Sequence, residues 1–497
     1  MTGDGKNGEP AGPAAGGPER RPRVLFVTQE TTRTGAPMML LHFLRWLRSR
    51  GTVEFEVLAA KGGALEAEFA AVAPTRRAGD GRRIEARNFD LIYANSVGSS
   101  DCVAGLGPVL PPVITHVHEL DLGFEWVGPR RMAQIIRHTE RFVACARGVA
   151  RRLTERFGIP AERIAVQHEM FDPTGAEARV RTTRAQAGLP EDAVVLAGCG
   201  TLDFRKGADL FVQTVQAART RAAGRREVHG LWIGGATAPE FERGVRRDIR
   251  ALGLERAVRL VGETDVPHAW LELADVFCLT SREDPFPLAM LEAAALRKPV
   301  IGFAGSGGVE ELAELGGATL VPYLAPDAMA AAALAAAGDS GRAATAAELV
   351  RRCFSVAARA PALERVLLDF RSGGAAARER ERRKPKTLTE VFVGWAADDP
   401  LRDGYVRSHL ARAAAIAAAR EAAGSGRRRE AVQLLVRAAS ADLATRDPWV
   451  ICEGLLEIGG ELVALEPRQA SALRDQAEAV AGKARIDLAP QRHGEAA

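Results

Sequence analysis

Aromatic residues, cysteine pairs and long apolar runs are all scarce in this 497-residue chain. Phe, Trp and Tyr make up only 5% of the residues, so Leu, Val, Ile and Ala must build the cores. The six cysteines are scattered without a C-x2-C pair, which argues against a zinc site and a disulfide framework and fits a reducing compartment. Apolar runs stay below the roughly 18 residues that a membrane-spanning helix needs.

A strong charge imbalance is also missing. The formal net charge is +4, and Lys and Arg are not interleaved with aromatic residues, so nothing predicts a nucleic-acid partner. Residues 1–22 are rich in Gly, Pro, Glu and Ala and lack the apolar core of a secretory signal, which predicts a disordered tail and a cytoplasmic protein. The pairs Arg130-Arg131 and Arg151-Arg152 permit peripheral contact with the anionic inner face of a membrane, although surface arginines are usually just solvated.

The chain does contain short apolar runs that alternate with helical patterns. This alternation predicts βαβ units and doubly wound parallel sheets. It restarts after residues 172–187, so we expect two Rossmann-like halves with ligands bound beyond the carboxyl ends of the strands, in a cleft between the halves. The predicted strands are 24–28, 55–59, 91–94, 113–117, 142–146 and 164–167, then 194–199, 231–234, 258–261, 276–279, 300–303 and 319–321.

The last hundred residues have a different composition. Residues 401–488 are rich in Ala, Leu and Arg, show no strand pattern and predict helices over 407–423, 429–441, 449–465 and 467–483. The charged run 378–384 is either a solvated helix or part of a linker. We therefore predict five segments: a tail (1–22), two α/β domains (23–178 and 179–371), a charged linker (372–398) and an all-α extension (399–490).

The stretch Ser281–Pro299 carries the clearest chemical pattern. Asp284 lies in a loop after a strand, and Glu292 follows one turn inside the helix that opens near Leu288. The N–H groups at the mouth of that helix suit a pyrophosphate, and Glu292 could accept hydrogen bonds from a ribose diol. The alternative is a surface loop followed by an ordinary helix glutamate.

A second basic motif, Arg205-Lys206-Gly207, follows the strand 194–199 and opens a helix. A lysine at that place can neutralise a phosphate, although a solvated lysine at a helix start is about as plausible. Gly198-Cys199-Gly200 begins like a dinucleotide fingerprint, but Asp203 stands where the third glycine belongs, so we discount NAD.

Other polar residues and glycines follow predicted strands and would face the cleft. Each has a plain alternative: a turn for the glycines, a helix cap for Asn95 and Ser96, and a packed side chain for the histidines, which we favour for His116. The candidates are Gly35, Asn95, Ser96, His116, His118, and the pair Gly307-Gly308 with Glu311.

Taken together, these motifs resemble the GT-B glycosyltransferases, and within them glycosyltransferase family 4, the retaining group 1 type. Lys206-Gly207, Asp284-x7-Glu292 and Gly307-Gly308 with Glu311 occur in the family's order, and the resemblance covers about residues 21–370. It implies a GT-B fold with an acceptor domain (23–178) and a nucleotide-sugar donor domain (179–371). Glu119 and Asp121 mimic the D-x-D motif of the other glycosyltransferase architecture, which the two-sheet pattern disfavours.

The resemblance also implies roles for individual residues. His118 and Asp284 would be the catalytic residues next to the transferring sugar. Donor-binding roles would fall to Gly35, Arg205, Lys206, Phe286, Pro287, Leu288 and Glu292. Two positions depart from the family: Asp284 replaces the usual glutamate, and Thr201 replaces an arginine whose charge Arg205 is placed to supply.

The implied activity is hexosyl transfer from a nucleotide diphosphate-sugar to an acceptor, with retention at the anomeric carbon and without a metal or other cofactor. The acceptor stays open between a glycan, a lipid-linked molecule and a small molecule. A non-catalytic relative that uses the helical extension to bind a protein partner is the main alternative. A sugar-nucleotide epimerase that uses the same cleft is a further one.

Overall fold

The computed structural model describes residues 20–81, 84–107, 109–173, 182–223, 225–371 and 387–484. Its first domain is built on a parallel sheet with the strand order β3-β2-β1-β4-β5-β6-β7. The central strand is a continuous apolar run in which Leu25, Phe26 and Val27 are fully buried, as expected for a strand covered on both faces. The strands are β1 Arg23–Thr28, β2 Glu54–Ala59, β3 Thr75–Arg77, β4 Leu91–Asn95, β5 Val113–Val117, β6 Arg141–Ala144 and β7 Ile164–Val166.

Helices connect these strands. Short 3-10 turns at Ala86–Asn88, Val97–Ser99 and Ala161–Arg163 complete the connections. The helices are α1 Gly35–Arg50, α2 Glu66–Val72, α3 Ser100–Gly105, α4 Asp121–Val127, α5 Pro129–His138 and α6 Arg147–Phe157.

The second domain repeats the plan with a parallel sheet in the order β10-β9-β8-β11-β12-β13. In both sheets the strand order reverses beside the first strand, and this is the topological position at which α/β sheets bind ligands. The strands are β8 Val194–Cys199, β9 Val228–Ile233, β10 Val258–Gly262, β11 Val276–Leu279, β12 Val300–Phe303 and β13 Thr319–Val321. The helices are α7 Ala208–Ala222, α8 Pro239–Ala251, α9 Pro267–Leu271, α10 Leu288–Ala295, α11 Val309–Glu314 and α12 Pro326–Ala336.

Two further helices, α13 Ser340–Phe354 and α14 Val356–Arg371, carry the chain back to the first domain. The Phe171 N–H donates to the Phe354 carbonyl at 3.1 Å, and the Val356 N–H donates to the Phe171 carbonyl at 3.0 Å. Helix α14 packs on α1, and Thr52 hydrogen-bonds the Glu364 carboxylate. The two domains are therefore joined by the hydrogen bonds of Phe171 and again at α14.

The predicted doubly wound fold with a helical extension is confirmed. The predicted strands at Val113–Val117, Val194–Cys199 and Val276–Leu279 match the observed bounds. Strand β3 was not predicted, because its sequence Thr-Arg-Arg has no apolar alternation and it lies at the edge of the sheet.

The later helices of the extension pack around an apolar core that includes Leu435, Leu455 and Leu462, whereas Phe392 and Trp395 join the apolar core of the first domain. No strand occurs in the extension's described residues, 387–484, as predicted. The charged run 378–384 lies outside the described residues. None of the described helices combines the length and the apolar character needed to cross a membrane. The helices are α15 Leu388–Val393, α16 Gly404–Gly424, α17 Arg428–Ala444, α18 Pro448–Leu462 and α19 Pro467–Ala484.

A buried ion pair fastens the extension to the first domain. Arg156 of α6 donates from Nε to Asp399 Oδ2 at 2.6 Å and from Nη2 to Asp399 Oδ1 at 3.1 Å. Its Nη1 donates to Asp121, the first residue of α4, at 2.8 Å. The Asp399 side chain is fully buried and that of Arg156 is 7% exposed. The extension is thus attached to the first domain partly through a buried ion pair.

We expect Arg156→Met to lower the free energy of unfolding by about 3–5 kcal/mol, because it leaves the Asp399 carboxylate buried without its partner. The midpoint of thermal unfolding, followed by circular dichroism, measures the effect. Arg151→Met is the matched control, since Arg151 is exposed on the same helix and lies 4.0 Å from Glu155. A change of less than about 0.5 kcal/mol is expected there. Equal midpoints for the two variants would show that the ion pair does not fasten the extension.

Candidate active site

The loop between β11 and α10 is held by backbone hydrogen bonds to the glycine turn after β12. The Asp284 N–H donates to the Ser306 carbonyl at 2.7 Å, and the Gly308 N–H donates to the Asp284 carbonyl at 3.0 Å. Gly307 has a φ of 123°, and a Cβ there would lie 2.1 Å from the Asp284 carbonyl oxygen. The glycine pair therefore allows the two loops to approach closely. This contact places the Asp284 side chain.

Asp284 forms an ion pair with Lys206. Lys206 Nζ lies 2.5 Å from Asp284 Oδ2, and the Ser281 hydroxyl donates to the same oxygen at 3.1 Å. Arg205 Nη1 lies 3.8 Å from the other oxygen and donates to the Glu283 carbonyl at 3.0 Å. Two cations thus converge on one buried carboxylate, and Arg205 points toward the group, as required if it replaces the charge absent at Thr201.

Gly207 lets the loop that carries Lys206 pack against the end of β11. It precedes α7 with a φ of 70°, and a Cβ there would lie 2.1 Å from the Thr280 carbonyl oxygen. A side chain at this place would meet both an unfavourable backbone conformation and a steric clash. The position of Lys206 therefore depends on the glycine that follows it.

We expect Gly207→Ala to destabilise the protein by about 3 kcal/mol or more, since backbone strain and overpacking add. Gly253→Ala is the matched control, because Gly253 has a φ of 66° but no atom within 4 Å of the place that an alanine methyl group would take. Only the backbone strain of about 1–2 kcal/mol applies there. Thermal unfolding midpoints compare the two variants, and an equal loss in both would show that the Thr280 contact tolerates a methyl group.

Helix α10 brings Glu292 to the same region. Glu292 Oε1 lies 3.7 Å from His268 Nε2, and the side chain is 17% exposed. Burial raises the pKa of Glu292, and the His268 charge only partly opposes this effect. Burial also raises the pKa of Cys199 to about 12, with Glu292 and Lys206 acting on that thiol in opposite directions. Cys199 is therefore within electrostatic range of both groups.

The mouth of α10 is shaped by Phe286, Pro287 and Leu288. Phe286 is buried against the rings of His168 and Phe354, at centroid distances of 4.9 and 5.3 Å. Pro287 precedes the helix in an extended conformation, with φ −68° and ψ 126°. The first N–H groups of α10, at Leu288 and Ala289, have no acceptor within the helix and suit an anion.

Across the cleft, His118 follows β5. Its Nδ1 lies 2.6 Å from Glu169 Oε1 and its Nε2 lies 2.9 Å from Asn95 Oδ1. Asn95 donates from Nδ2 to the Ala36 carbonyl at 3.0 Å, next to Gly35 at the start of α1. His118, Asn95 and the loop that opens α1 therefore form one hydrogen-bonded group.

The neighbouring candidate residues make hydrogen bonds within the first domain. His116 is buried and its Nδ1 lies 2.6 Å from the Tyr93 hydroxyl, so it is the packed histidine that we favoured. Burial holds the pKa of His116 well below its usual range. Ser96 accepts from the Gly98 N–H at 2.9 Å and caps the turn that follows. Glu119 accepts from the His118 N–H at 2.8 Å, whereas Asp121 binds Arg156, so the two carboxylates do not form a joint site.

Contacts between the domains involve Glu283, which the sequence did not single out, and Glu311, which it did. The Leu122 N–H donates to both oxygens of the Glu283 carboxylate at 3.1 Å. Glu311 accepts from the Arg147 N–H and from His168 Nε2, each at 2.7 Å. Burial opposes ionisation of Glu311, but the hydrogen bonds from His168 and Arg147 outweigh it and lower its pKa. The second domain is thus held to the first by Glu283, which precedes Asp284, and by Glu311 of α11.

The basic pairs proposed for membrane contact take part in internal ion pairs. Arg130 lies 3.0 Å and Arg131 lies 2.7 Å from Asp101. Arg130 also lies over the Trp449 ring at 4.2 Å, and Arg152 lies 3.1 Å from Asp121. Arg130, Arg131 and Arg152 therefore have partners within the chain, whereas Arg151 is exposed.

The His118, Cys145 and Glu169 ligand atoms lie within 4.8 Å of one another. A metal ion would hold such atoms about 3 Å or more apart, because zinc ligands sit about 2.0–2.3 Å from the ion in tetrahedral geometry. The 2.6 Å contact between His118 and Glu169 is instead a hydrogen-bond distance. We assign no metal to this group.

Family models match both domains. A model described as Glycosyltransferase Family 4 matches residues 34–174, and one described as Glycosyl transferases group 1 matches residues 193–339. The two matches together cover more than half of the chain.

Several relatives are named D-inositol 3-phosphate glycosyltransferase. The protein from Kineococcus radiotolerans is 30% identical over 185 residues, which is 35% of this chain and 42% of that protein. The protein from Kribbella flavida is 28% identical over 221 residues, which is 42% of this chain and 50% of that protein. The chain thus spans half or less of the length of these relatives.

Solved structures share the fold. HepE of Anabaena in complex with UDP and glucose aligns with a TM-score of 0.60 and 21% identity, over 70% of this chain and 100% of that one. WaaG, a glycosyltransferase involved in lipopolysaccharide biosynthesis, aligns with a TM-score of 0.53 and 14% identity, over 71% of this chain and 100% of that one. The two sheets, the order of the motifs and both family models agree, and the chain belongs to glycosyltransferase family 4, group 1, with a GT-B fold.

Proposed function

We propose that the protein transfers a hexosyl group from a nucleotide diphosphate-sugar to an acceptor hydroxyl, with retention at the anomeric carbon. The observation that supports this most is the convergence of Lys206 and Arg205 on Asp284. Lys206 and Arg205 come from the loop before α7, and Asp284 lies in the loop that leads into α10, the helix that carries Glu292. Fixed cations and free N–H groups suit a diphosphate, and a buried carboxylate suits a ribose diol.

In the proposed reaction the bond from the anomeric carbon to the phosphate oxygen breaks as the acceptor oxygen bonds to the same face of the sugar, and the acceptor's hydroxyl proton passes to the leaving phosphate oxygen. Negative charge then develops on the leaving nucleotide diphosphate. Lys206, Arg205 and the N–H groups at the mouth of α10 are placed to stabilise this charge without reorganising, which is an effective form of catalysis. His118 and Asp284 would contact the sugar from the two domains, and the chain's own residues would perform these steps without a metal.

When the donor enters, we propose that a phosphate oxygen takes over Lys206 from Asp284. The 2.5 Å ion pair would then be a resting arrangement of the donor-free site. Asp284 would be released to accept a hydrogen bond from a sugar hydroxyl. The aspartate is one methylene shorter than a glutamate, so this role requires the sugar to approach the loop closely.

A panel of nucleotide diphosphate-sugars tests the proposal, with mass detection of products and isothermal titration of the matching nucleotides. UDP-glucose is the first donor to try, because HepE was solved with UDP and glucose. Inositol phosphates are the first acceptors to try, given the names of the relatives. A folded protein that binds none of the nucleotides would refute the enzyme function, and inverted anomeric configuration in the product would refute retention.

A further inference from the structure

Glu169 has no role in the mechanism proposed above, yet it makes a short buried contact in the cleft. It follows β7, and its Oε1 lies 2.6 Å from His118 Nδ1. The side chains of His118 and Glu169 are only 6% and 5% exposed. Glu169 Oε2 is buried and has no hydrogen-bond partner among the described residues. A carboxylate in such a place is held there at a cost in solvation.

The hydrogen-bond directions around His118 follow from Asn95. The Asn95 amide donates from Nδ2 to the Ala36 carbonyl, which can only accept, so Asn95 Oδ1 must face His118. The Asn95 oxygen also can only accept, and His118 Nε2 must therefore carry a hydrogen. The Glu169 carboxylate accepts in the same way from Nδ1. Both ring nitrogens then carry hydrogens, and the ring is an imidazolium.

The other titratable groups around the ring are consistent with this charge. His116 lies on the same strand with its ring centroid 4.1 Å away, and burial holds its pKa well below the usual range. Burial raises the pKa of Cys145 and of Tyr93 well above their usual ranges, so both stay neutral. Burial alone would favour neutral His118, but Glu169 and, more weakly, Glu119 outweigh it and raise the His118 pKa.

We propose that Glu169 is a positioning residue that keeps His118 doubly protonated, while Asn95 ties the ring to the loop that opens α1. This inference rests on the proposed function. In the donor-free site the Nε2–H donates to Asn95. When a sugar oxygen of the donor replaces Asn95 as acceptor, it receives a charge-assisted hydrogen bond, which is stronger than a neutral one.

The pair makes transfer depend on pH in a defined direction. When the His118 ring is protonated, His118 and Glu169 together carry no net charge. When the ring is neutral, the pair carries one negative charge near the diphosphate site. Because the pKa of His118 is raised, the imidazolium persists above the usual histidine range and is lost as the pH rises through the raised value. Glu169→Gln should move the basic limb of the pH profile of transfer to lower pH. On that limb, lowering the His118 pKa by one pH unit reduces the protonated fraction about tenfold.

Nuclear magnetic resonance of the full chain, with ring-¹⁵N-labelled histidine, tests the pair without any substrate. His118→Gln assigns the signal. We expect both His118 ring nitrogens to be protonated at neutral pH in the wild type, and the ring to titrate at lower pH in Glu169→Gln. Glu119→Gln is the matched control, because Glu119 touches the His118 backbone and not its ring, so a smaller change in the His118 titration is expected.

A wild-type His118 with a single ring N–H at neutral pH would overturn the proposal, and this measurement stands even if Glu169→Gln fails to fold. An unchanged His118 titration in folded Glu169→Gln would overturn it as well. UDP titrations at neutral pH give a second readout. The substitution removes one negative and one positive charge together, so we expect Kd to change less than about threefold while the transfer rate falls about tenfold. The expected titration in a protein that transfers no sugar would refute the proposed function alone.

Discussion

Lys206→Ala is expected to lower the rate of sugar transfer by about 10²- to 10³-fold, the range seen when one preorganised donor to developing negative charge is removed. Lys206 is the cation in direct contact with Asp284, at 2.5 Å, and its side chain is 15% exposed. Arg205 remains in the variant but lies farther from that carboxylate, at 3.8 Å. Its guanidinium is also committed to the Glu283 carbonyl, so it cannot take the lysine's place fully.

Steady-state transfer from the donor identified in the panel measures this effect, and circular dichroism checks that the variant folds. Lys483→Ala is the matched control, because Lys483 is an exposed lysine in the last described helix. Its rate should equal that of the wild type. A near-wild-type rate in folded Lys206→Ala would remove the lysine from the donor site and leave Arg205 as the phosphate-binding cation.

Much of the architecture was predictable because parallel strands buried on both faces have a plain signature. The runs at Val194–Cys199 and Val300–Phe303 are short and apolar, and they are strands in the structure. In the second domain the candidate residues also lie close to one another in the sequence. Asp284 and Glu292 are separated by one loop and one helical turn, so their proximity to one mouth follows from spacing.

The first domain's part of the site was harder to predict, because its contacts join distant residues. His118 and Glu169 are 51 positions apart and meet only because β5 and β7 end on the same edge of the sheet. Glu169 comes three residues after the end of β7, whereas His118 follows β5 directly, so the rule that selected His118 applied to it less clearly. The contacts of Glu283 with Leu122 and of Glu311 with Arg147 depend on how the two domains face each other. No periodicity within either domain carries that information.

Glu292→Gln is expected to weaken UDP binding and to stabilise the donor-free protein at the same time. Burial raises the pKa of Glu292 above that of the unfolded chain. The unfolded state therefore releases this proton more readily, and the glutamate lowers stability as the pH rises through the window between the two values. Above that window the full penalty applies, and glutamine removes it. We expect a gain of about 0.5–2 kcal/mol, the usual size for relieving a functional site.

The same change of charge explains why UDP should bind less tightly. A ribose diol would donate to a carboxylate, and a hydrogen bond to a charged group contributes about 1.5–3 kcal/mol, so the Kd for UDP should rise about 10- to 100-fold. Glutamine keeps the size of the side chain but accepts less strongly.

Thermal unfolding with and without UDP measures both effects. Ligand that binds the folded state raises the midpoint, so the wild type should start lower and rise more, whereas the variant should start higher and rise little. Glu348→Gln, an exposed carboxylate on α13, should match the wild type in both respects. The stability gain should shrink as the pH is lowered toward the ordinary glutamate pKa, where the unfolded chain also holds the proton. A variant that is less stable than the wild type and still binds UDP tightly would mean that Glu292 serves packing against His268, and that another group holds the ribose.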